Sequence, residues 1–187
     1  LTVGGLLQRH GYATAAFGKW HLGMEWSGET SDAIEVDGVK VDYSQPIRQG
    51  PVARGFDTFF GISASLDMAP YVYVRDDRSQ GAPTVRQTDW FRAGPAAPDF
   101  RAVDVLPDLN RAVVDYIENQ AARARPFFVY YALPSPHTPI VVAPEWRGRS
   151  GLGDYADFVM QTDDAVGQVM AALERAGIAE NTLIVFT

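Results

Sequence analysis

The chain has 187 residues, 47% hydrophobic and 21% charged, which fits one globular domain and excludes a disordered or fibrous chain. Sixteen Lys and Arg against 23 Asp and Glu leave a formal charge of −7, which argues against a nucleic-acid groove or a polybasic membrane surface. With no cysteine there is no disulfide framework, zinc–thiolate site or thiol nucleophile in these residues, and no run reaches the roughly 18–20 apolar residues that span a bilayer.

In chain order, Leu1 to His10 predicts the end of a helix, stopped by Gly11 in the left-handed cap position. Tyr12 to Phe17 follows as a short strand of small residues ending at Gly18. The stretch from about 22 to 103 carries most of the Gly and Pro, mixed charge and short β-like runs such as Val72–Arg75, and reads as an irregular excursion on the ligand side of the sheet. Asp104 is placed to cap a helix over about Pro107 to Ala122, with Leu106, Leu109, Val113 and Ile117 on one face. Phe127 to Leu133 is a strand, and a long helix runs from about Asp154 to Ala176, stopped by Gly177. Thr182-Leu-Ile-Val-Phe-Thr187 reads as a buried strand. Three helix–strand units predict an α/β domain with a largely parallel sheet and helices packed on it. The chain opens at Leu1 without an initiator Met, inside an apolar pattern, and closes on a strand, so residues 1–187 are expected to be an internal piece of a longer protein. Its N-terminus has no signal-peptide pattern.

Chemistry concentrates after the predicted strands. Gly18-Lys19-Trp20-His21-Leu22-Gly23 follows the first strand directly. In an extended segment Lys19 and His21 share a side and present an ammonium and an imidazole to one point, which suits a tetrahedral anion. The spacing equally admits an exposed Lys beside a partly packed His and a core Trp. Leu133-Pro-Ser-Pro-His137-Thr-Pro-Ile140 follows the next clear strand, and its three prolines from Pro134 to Pro139 hold His137 in a fixed direction. That loop suits a proton donor or substrate ligand, or a His that simply bonds a backbone carbonyl. In Arg54-Gly-Phe-Asp-Thr-Phe-Phe-Gly61-Ile-Ser-Ala-Ser65-Leu-Asp67 the aromatic residues are expected to pack the excursion, while Ser65 and Asp67 either form local turns or orient Lys19. Asp76-Asp77 resembles a metal-binding doublet but, flanked by Arg75 and Arg78, reads as a solvated turn; Asp163-Asp164 reads as surface charge or local pairing, and His10 has no assigned role. Asp89-Trp90-Phe91-Arg92, Tyr71, Tyr73 and Arg75 are candidates for a sugar- or ring-binding wall.

The run Gly11-Tyr-Ala-Thr-Ala-Ala-Phe-Gly-Lys-Trp-His-Leu-Gly23 resembles the second signature of the type I sulfatases. The resemblance continues in family order through Arg54–Asp67, Ser135-Pro-His-Thr-Pro139, Asp154–Gly167 and the closing run. It implies an alkaline-phosphatase-like three-layer α/β fold, here incomplete. It also implies hydrolysis of aryl, alkyl or carbohydrate sulfate esters with a formylglycine nucleophile and a calcium ion (Ca2+). By that likeness Lys19 binds sulfate and holds the nucleophile's hydroxyl, and His21 assists its regeneration. His137 contacts the ester oxygen and acts as general acid, while Ser65 bonds near the sulfate with Asp67 in support. A sulfate-ester small molecule or a sulfated glycan is then the partner, and a periplasmic or secreted location is expected.

The C/S-x-P-S/A-R nucleophile motif is absent, and so are the family's paired acidic calcium ligands, its Asp-Asn pair and its further Lys, so both sites are expected outside these residues. This piece alone is expected to have no turnover. Two alternatives stay open: a phosphate or phosphonate ester hydrolase of the same superfamily, and an inactive relative that binds sulfated glycans.

Overall fold

The computed structural model describes residues 1–28, 34–36, 39–89, 92–123 and 125–187. The elements are α1 (Val3–Arg9), β1 (Ala13–Lys19), β2 (Ile34–Val36), β3 (Val39–Val41), β4 (Thr58–Ile62), β5 (Tyr73–Arg75), β6 (Arg78–Ser79), β7 (Val85–Gln87), β8 (Gly94–Ala96), α2 (Ala102–Ala121), β9 (Phe127–Ala132) and α3 (Asp154–Arg175). The main sheet has the order β6-β5-β4-β1-β9. Its β4, β1 and β9 strands are parallel, while β5 and β6 run antiparallel to their neighbours, so the sheet is mixed with a parallel centre. The fold class is α/β, as expected.

Side chains alternate between two covers. Ala15, Phe17, Phe60, Phe127, Val129 and Tyr131 face α2 and the C-terminal half of α3, where Val113, Ile117, Ala172 and Leu173 complete the cluster. Ala16, Phe59, Val74 and Phe128 point the other way and pack with Trp20, Ile47 and Phe56. Gly4 of α1 lies against the Phe56 ring on that side. No helix among the described residues is long and apolar enough to cross a membrane.

Three expectations need correcting. The stretch from 22 to 103 is not uniformly irregular, because it supplies β4, a strand hydrogen-bonded between β1 and β5, together with β5 and β6. The helix expected from Pro107 begins at Ala102, with Arg101 at its N-cap and Asp104 in its first turn. Pro107 costs the Val103 carbonyl its intrahelical donor, yet burying Val105, Leu109, Val113 and Ile117, at about 1.5–3 kcal/mol each, outweighs that loss. Finally, Thr182–Thr187 joins no ladder, and Leu183 and Phe186 are 89% and 75% exposed. Its β-branched composition suits a ladder, but β9 is the outer strand and pairs only with β1 among the described residues.

The strand ends beside the candidate loops are held by glycine. Gly18 pairs with Gly61 on one side and Ala132 on the other. It has φ +103°, and a Cβ there would stand 1.9 Å from the Ala132 carbonyl oxygen. A Cβ on Gly61 would stand 1.9 Å from the Gly18 carbonyl oxygen. Backbone carbonyls cannot swing aside as a flexible side chain can, so Gly18→Ala and Gly61→Ala should each cost about 3 kcal/mol or more. Gly148→Ala is the control: φ there is +78°, but nothing lies within 4 Å of the added carbon, and roughly 1–2 kcal/mol is expected. Urea unfolding of the full protein carrying these residues checks the ranking. Equal losses at Gly18 and Gly148 would show that the close approach is not a constraint.

Candidate active site

Because β4, β1 and β9 are parallel neighbours, their carboxyl ends open on one edge of the sheet. Lys19 ends β1, with His21 two residues on; Ser65 and Asp67 follow β4; His137 follows β9. The sequence-predicted residues therefore gather at the edge where open α/β sheets bind ligands.

At the end of β1 the chain does not stay extended. The Trp20 and His21 amides donate to the Ile62 and Ser63 carbonyls, both at 3.0 Å, and His21 adopts φ +49°. The period-two argument for Lys19 and His21 thus stops at Lys19. Between them Trp20 is buried edge-on to Phe56 and Phe59, with its indole N–H donating to the Gly23 carbonyl at 2.8 Å. Trp20 anchors the turn, Lys19 is half-buried and His21 is exposed. A left-handed conformation is uncommon for a residue with a Cβ and costs on the order of 1–3 kcal/mol.

After β4, Ser65 and Asp67 are both buried, and the Ser65 hydroxyl donates to Asp67 Oδ1. Arg92 reaches the other carboxylate oxygen at 3.8 Å. The Ser65 hydrogen bond first, then the Asp67 amide and the positive charges of Arg92 and His137, hold this carboxyl below the ordinary range against the opposing effect of burial. Asp67 is therefore an anion paired with Arg92, not with Lys19. Among the described residues Lys19 has no ion pair, and no hydrogen bond joins Lys19, His21 and His137.

After β9, the His137 ring is exposed and its Nδ1 lies 2.6 Å from the Thr138 carbonyl oxygen. A carbonyl only accepts, so Nδ1 carries the proton and neutral His137 keeps its lone pair at Nε2. Protonated, Nε2–H becomes a donor directed away from the loop. The backbone bond foreseen as the plain alternative thus exists and fixes the tautomer.

Polar groups of α3 that the sequence reading left without a role secure this loop. Asp157, buried in the first turn, accepts the Gly148 and Ser150 amides at 2.6 and 2.7 Å. Hydrogen bonding by the Ser150 hydroxyl and by both amides holds its carboxyl below the usual range. Gln161 accepts the Ala143 amide at 3.0 Å, and the Thr162 and Ser135 hydroxyls lie 2.8 Å apart. The signal available in the sequence was polar residues sharing a helix face with Phe158 and Ala165.

Among the described residues, Tyr71, Tyr73 and Arg75 do not line up as the expected sugar wall. Tyr71 is 2% exposed, its hydroxyl donating to the Arg92 carbonyl, and Tyr73 stacks on Phe60 and donates to Asp108 at 3.0 Å. Arg75 lies over the Phe60 ring at 4.5 Å. Aromatic area on a strand beside a core is claimed by that core. Trp90 and Phe91 lie outside the described residues. Asp76 sits in the β5–β6 turn and pins β4, accepting the Thr58 hydroxyl at 2.7 Å and the Phe59 amide at 2.9 Å.

Among the described residues no three His, Cys, Asp or Glu side chains could hold a metal ion. Ser44-Gln-Pro-Ile-Arg48 approximates the nucleophile motif but carries Ile47 at the small-residue position, and its Ser44 hydroxyl and amide are bound to Asp42 at 2.6 and 2.9 Å.

The Sulfatase family model matches residues 1–187, so the chain belongs to the sulfatase family. It is 30% identical over 189 residues to N-acetylgalactosamine-6-sulfatase of Mus musculus, covering 97% of this chain and 31% of the relative. It is 27% identical over 225 residues to N-acetylgalactosamine-6-O-sulfatase of Bacteroides thetaiotaomicron, covering 100% of this chain and 42% of the relative. The chain thus spans less than half the length of these relatives. A solved structure described under the metabolism of multiple glycosaminoglycans by Bacteroides thetaiotaomicron superposes with a TM-score of 0.76 at 23% identity, over 96% of this chain and 43% of the other. The fold is that of the alkaline-phosphatase-like sulfatases.

The strain at His21 gives a direct check. His21→Gly should be at least as stable as the parent and about 1 kcal/mol more stable than His21→Ala, because only Gly adopts φ +49° without penalty. Thermal unfolding of both variants would contradict this if the Gly variant melted below the Ala variant.

Proposed function

We propose that these residues supply the sulfate-binding and proton-handling edge of a sulfuric ester hydrolase, the substrate being a sulfated sugar. The observation that carries the reading is that Lys19 and His21 at the end of β1 and His137 after its parallel neighbour β9 come to one edge of the sheet. Membership of the sulfatase family supports the reaction, and two relatives named for N-acetylgalactosamine 6-sulfate ester cleavage support a carbohydrate substrate.

In this reading Lys19, which has no ion pair among the described residues, takes the charge of the sulfate group. His21, exposed in its left-handed turn at this edge, handles a proton at the nucleophile. His137, with Nδ1 fixed on Thr138, donates from Nε2 to the bridging ester oxygen as the S–O bond breaks, so that the sugar leaves as a neutral alcohol. Ser65, whose hydroxyl holds the buried Asp67 carboxylate, lines the same edge. In the complete protein a formylglycine would supply the nucleophile and a calcium ion the Lewis acid; no three His, Cys, Asp or Glu side chains among the described residues could hold that ion.

Lys19→Ala, His21→Ala and His137→Ala in the full protein should each lower kcat/KM on a sulfated sugar by about 10²-fold or more with the fold intact. Initial rates on matched sulfate and phosphate esters check the reaction class. Near-normal sulfate-ester hydrolysis by all three variants would overturn the reading. Preference for the phosphate ester would move the protein to phosphoryl transfer, and sulfated-sugar binding without turnover would make it a binding relative.

A further inference from the structure

We propose that Thr162 of α3, acting through Ser135, is a positioning residue for His137; the proposal rests on the catalytic part given to His137 above. The Thr162 hydroxyl oxygen lies 2.7 Å from the Phe158 carbonyl and 2.8 Å from the Ser135 hydroxyl, and both side chains are buried. A hydroxyl has one hydrogen and a carbonyl only accepts, so Thr162 donates to Phe158 and Ser135 donates to Thr162. The result is a directed chain from the loop into the helix backbone.

The loop needs such a tether. Its His137 ring is exposed, and its only side-chain hydrogen bond among the described residues runs to its own neighbour, Thr138. That bond sets the ring relative to the loop but not the loop relative to Lys19. Prolines 134, 136 and 139 make the segment stiff, so a displacement at Ser135 carries to His137. The Ser135–Thr162 bond stands two residues before His137 and joins that piece to a second rigid element. The Ala143 amide bond to Gln161 and the amide bonds to Asp157 fix the segment farther along. Removing the Ser135 anchor lets a stiff loop pivot, and a shift of about 1 Å at a proton donor is enough to cost up to 10²-fold in rate.

The test uses the full protein with a sulfated sugar as substrate. Thr162→Val keeps the shape and removes the hydrogen bond. It should lower kcat about tenfold while KM stays within about twofold, and Thr162→Ser should restore the rate. Ser135→Ala cuts the same bond from the loop side, leaves the helix core intact, and should reproduce the loss even where the valine variant folds poorly. In a His137→Ala background Thr162→Val should have less than about a twofold effect, because both act through one group. Equal losses with and without His137, or no loss from either single variant, would overturn the proposal. If the parent hydrolyses no sulfate ester, the functional reading fails, and the NMR signal of the His137 imidazole then decides the positioning claim. A shifted or broadened signal in Thr162→Val, restored in Thr162→Ser, supports it; an unchanged signal overturns it.

Discussion

The approach of β4 and β9 to β1 at Gly18 is the contact on which the rest of the arrangement depends. The Gly18 carbonyl fills the space a Gly61 side chain would take, and the Ala132 carbonyl fills the space of a Gly18 side chain. Three parallel strands can end side by side only because neither glycine carries a Cβ. Their register places Lys19 opposite Ile62 and brings the loops after Ile62 and Ala132 to the same edge. A residue with a side chain in this position would force the strands apart and separate the groups that follow them.

The electrostatics follow from that convergence. Asp67 is buried and held as an anion by Ser65 and Arg92, and it feels the charge of His137 across the edge. Lys19 has no such internal partner among the described residues, so its charge is left for a ligand. One carboxylate is thus neutralised locally while the ammonium is not, and an edge with that balance favours an anion despite the net charge of −7. The loop carrying His137 is secured by hydrogen bonds to α3 and by Leu133, Ile140 and Val142 packed with Phe158.

The fold was legible where local chemistry decides it. Gly11 and Gly177 end helices as expected, and the period of three and four from Asp154 gives α3 almost to the residue. The placement of Lys19, His21 and His137 at or just after strand ends was legible because the runs Tyr12–Phe17 and Phe127–Leu133 read as strands. Elsewhere tertiary packing overrode the local signal. Pro107 hid the first turn of α2, and Gly61 with its mixed flanks hid β4 as a strand of the main sheet. Tyr71 and Tyr73 suited a ligand wall in sequence, but lie beside a core that Phe60 and Phe100 complete. Arg92 as the partner of Asp67, and Thr162 as the partner of Ser135, join residues distant in the chain, and no spacing rule connects them.

The central claim is that the ends of β4, β1 and β9 form one anion site. The most direct measurement is a crystal structure of the full protein with an uncleaved sulfated-sugar analogue. The account predicts the sulfate group within hydrogen-bond reach of Lys19 Nζ, with the bridging oxygen facing His137 Nε2. A sulfate group bound elsewhere, with Lys19 and His137 both turned away from it, would contradict the account.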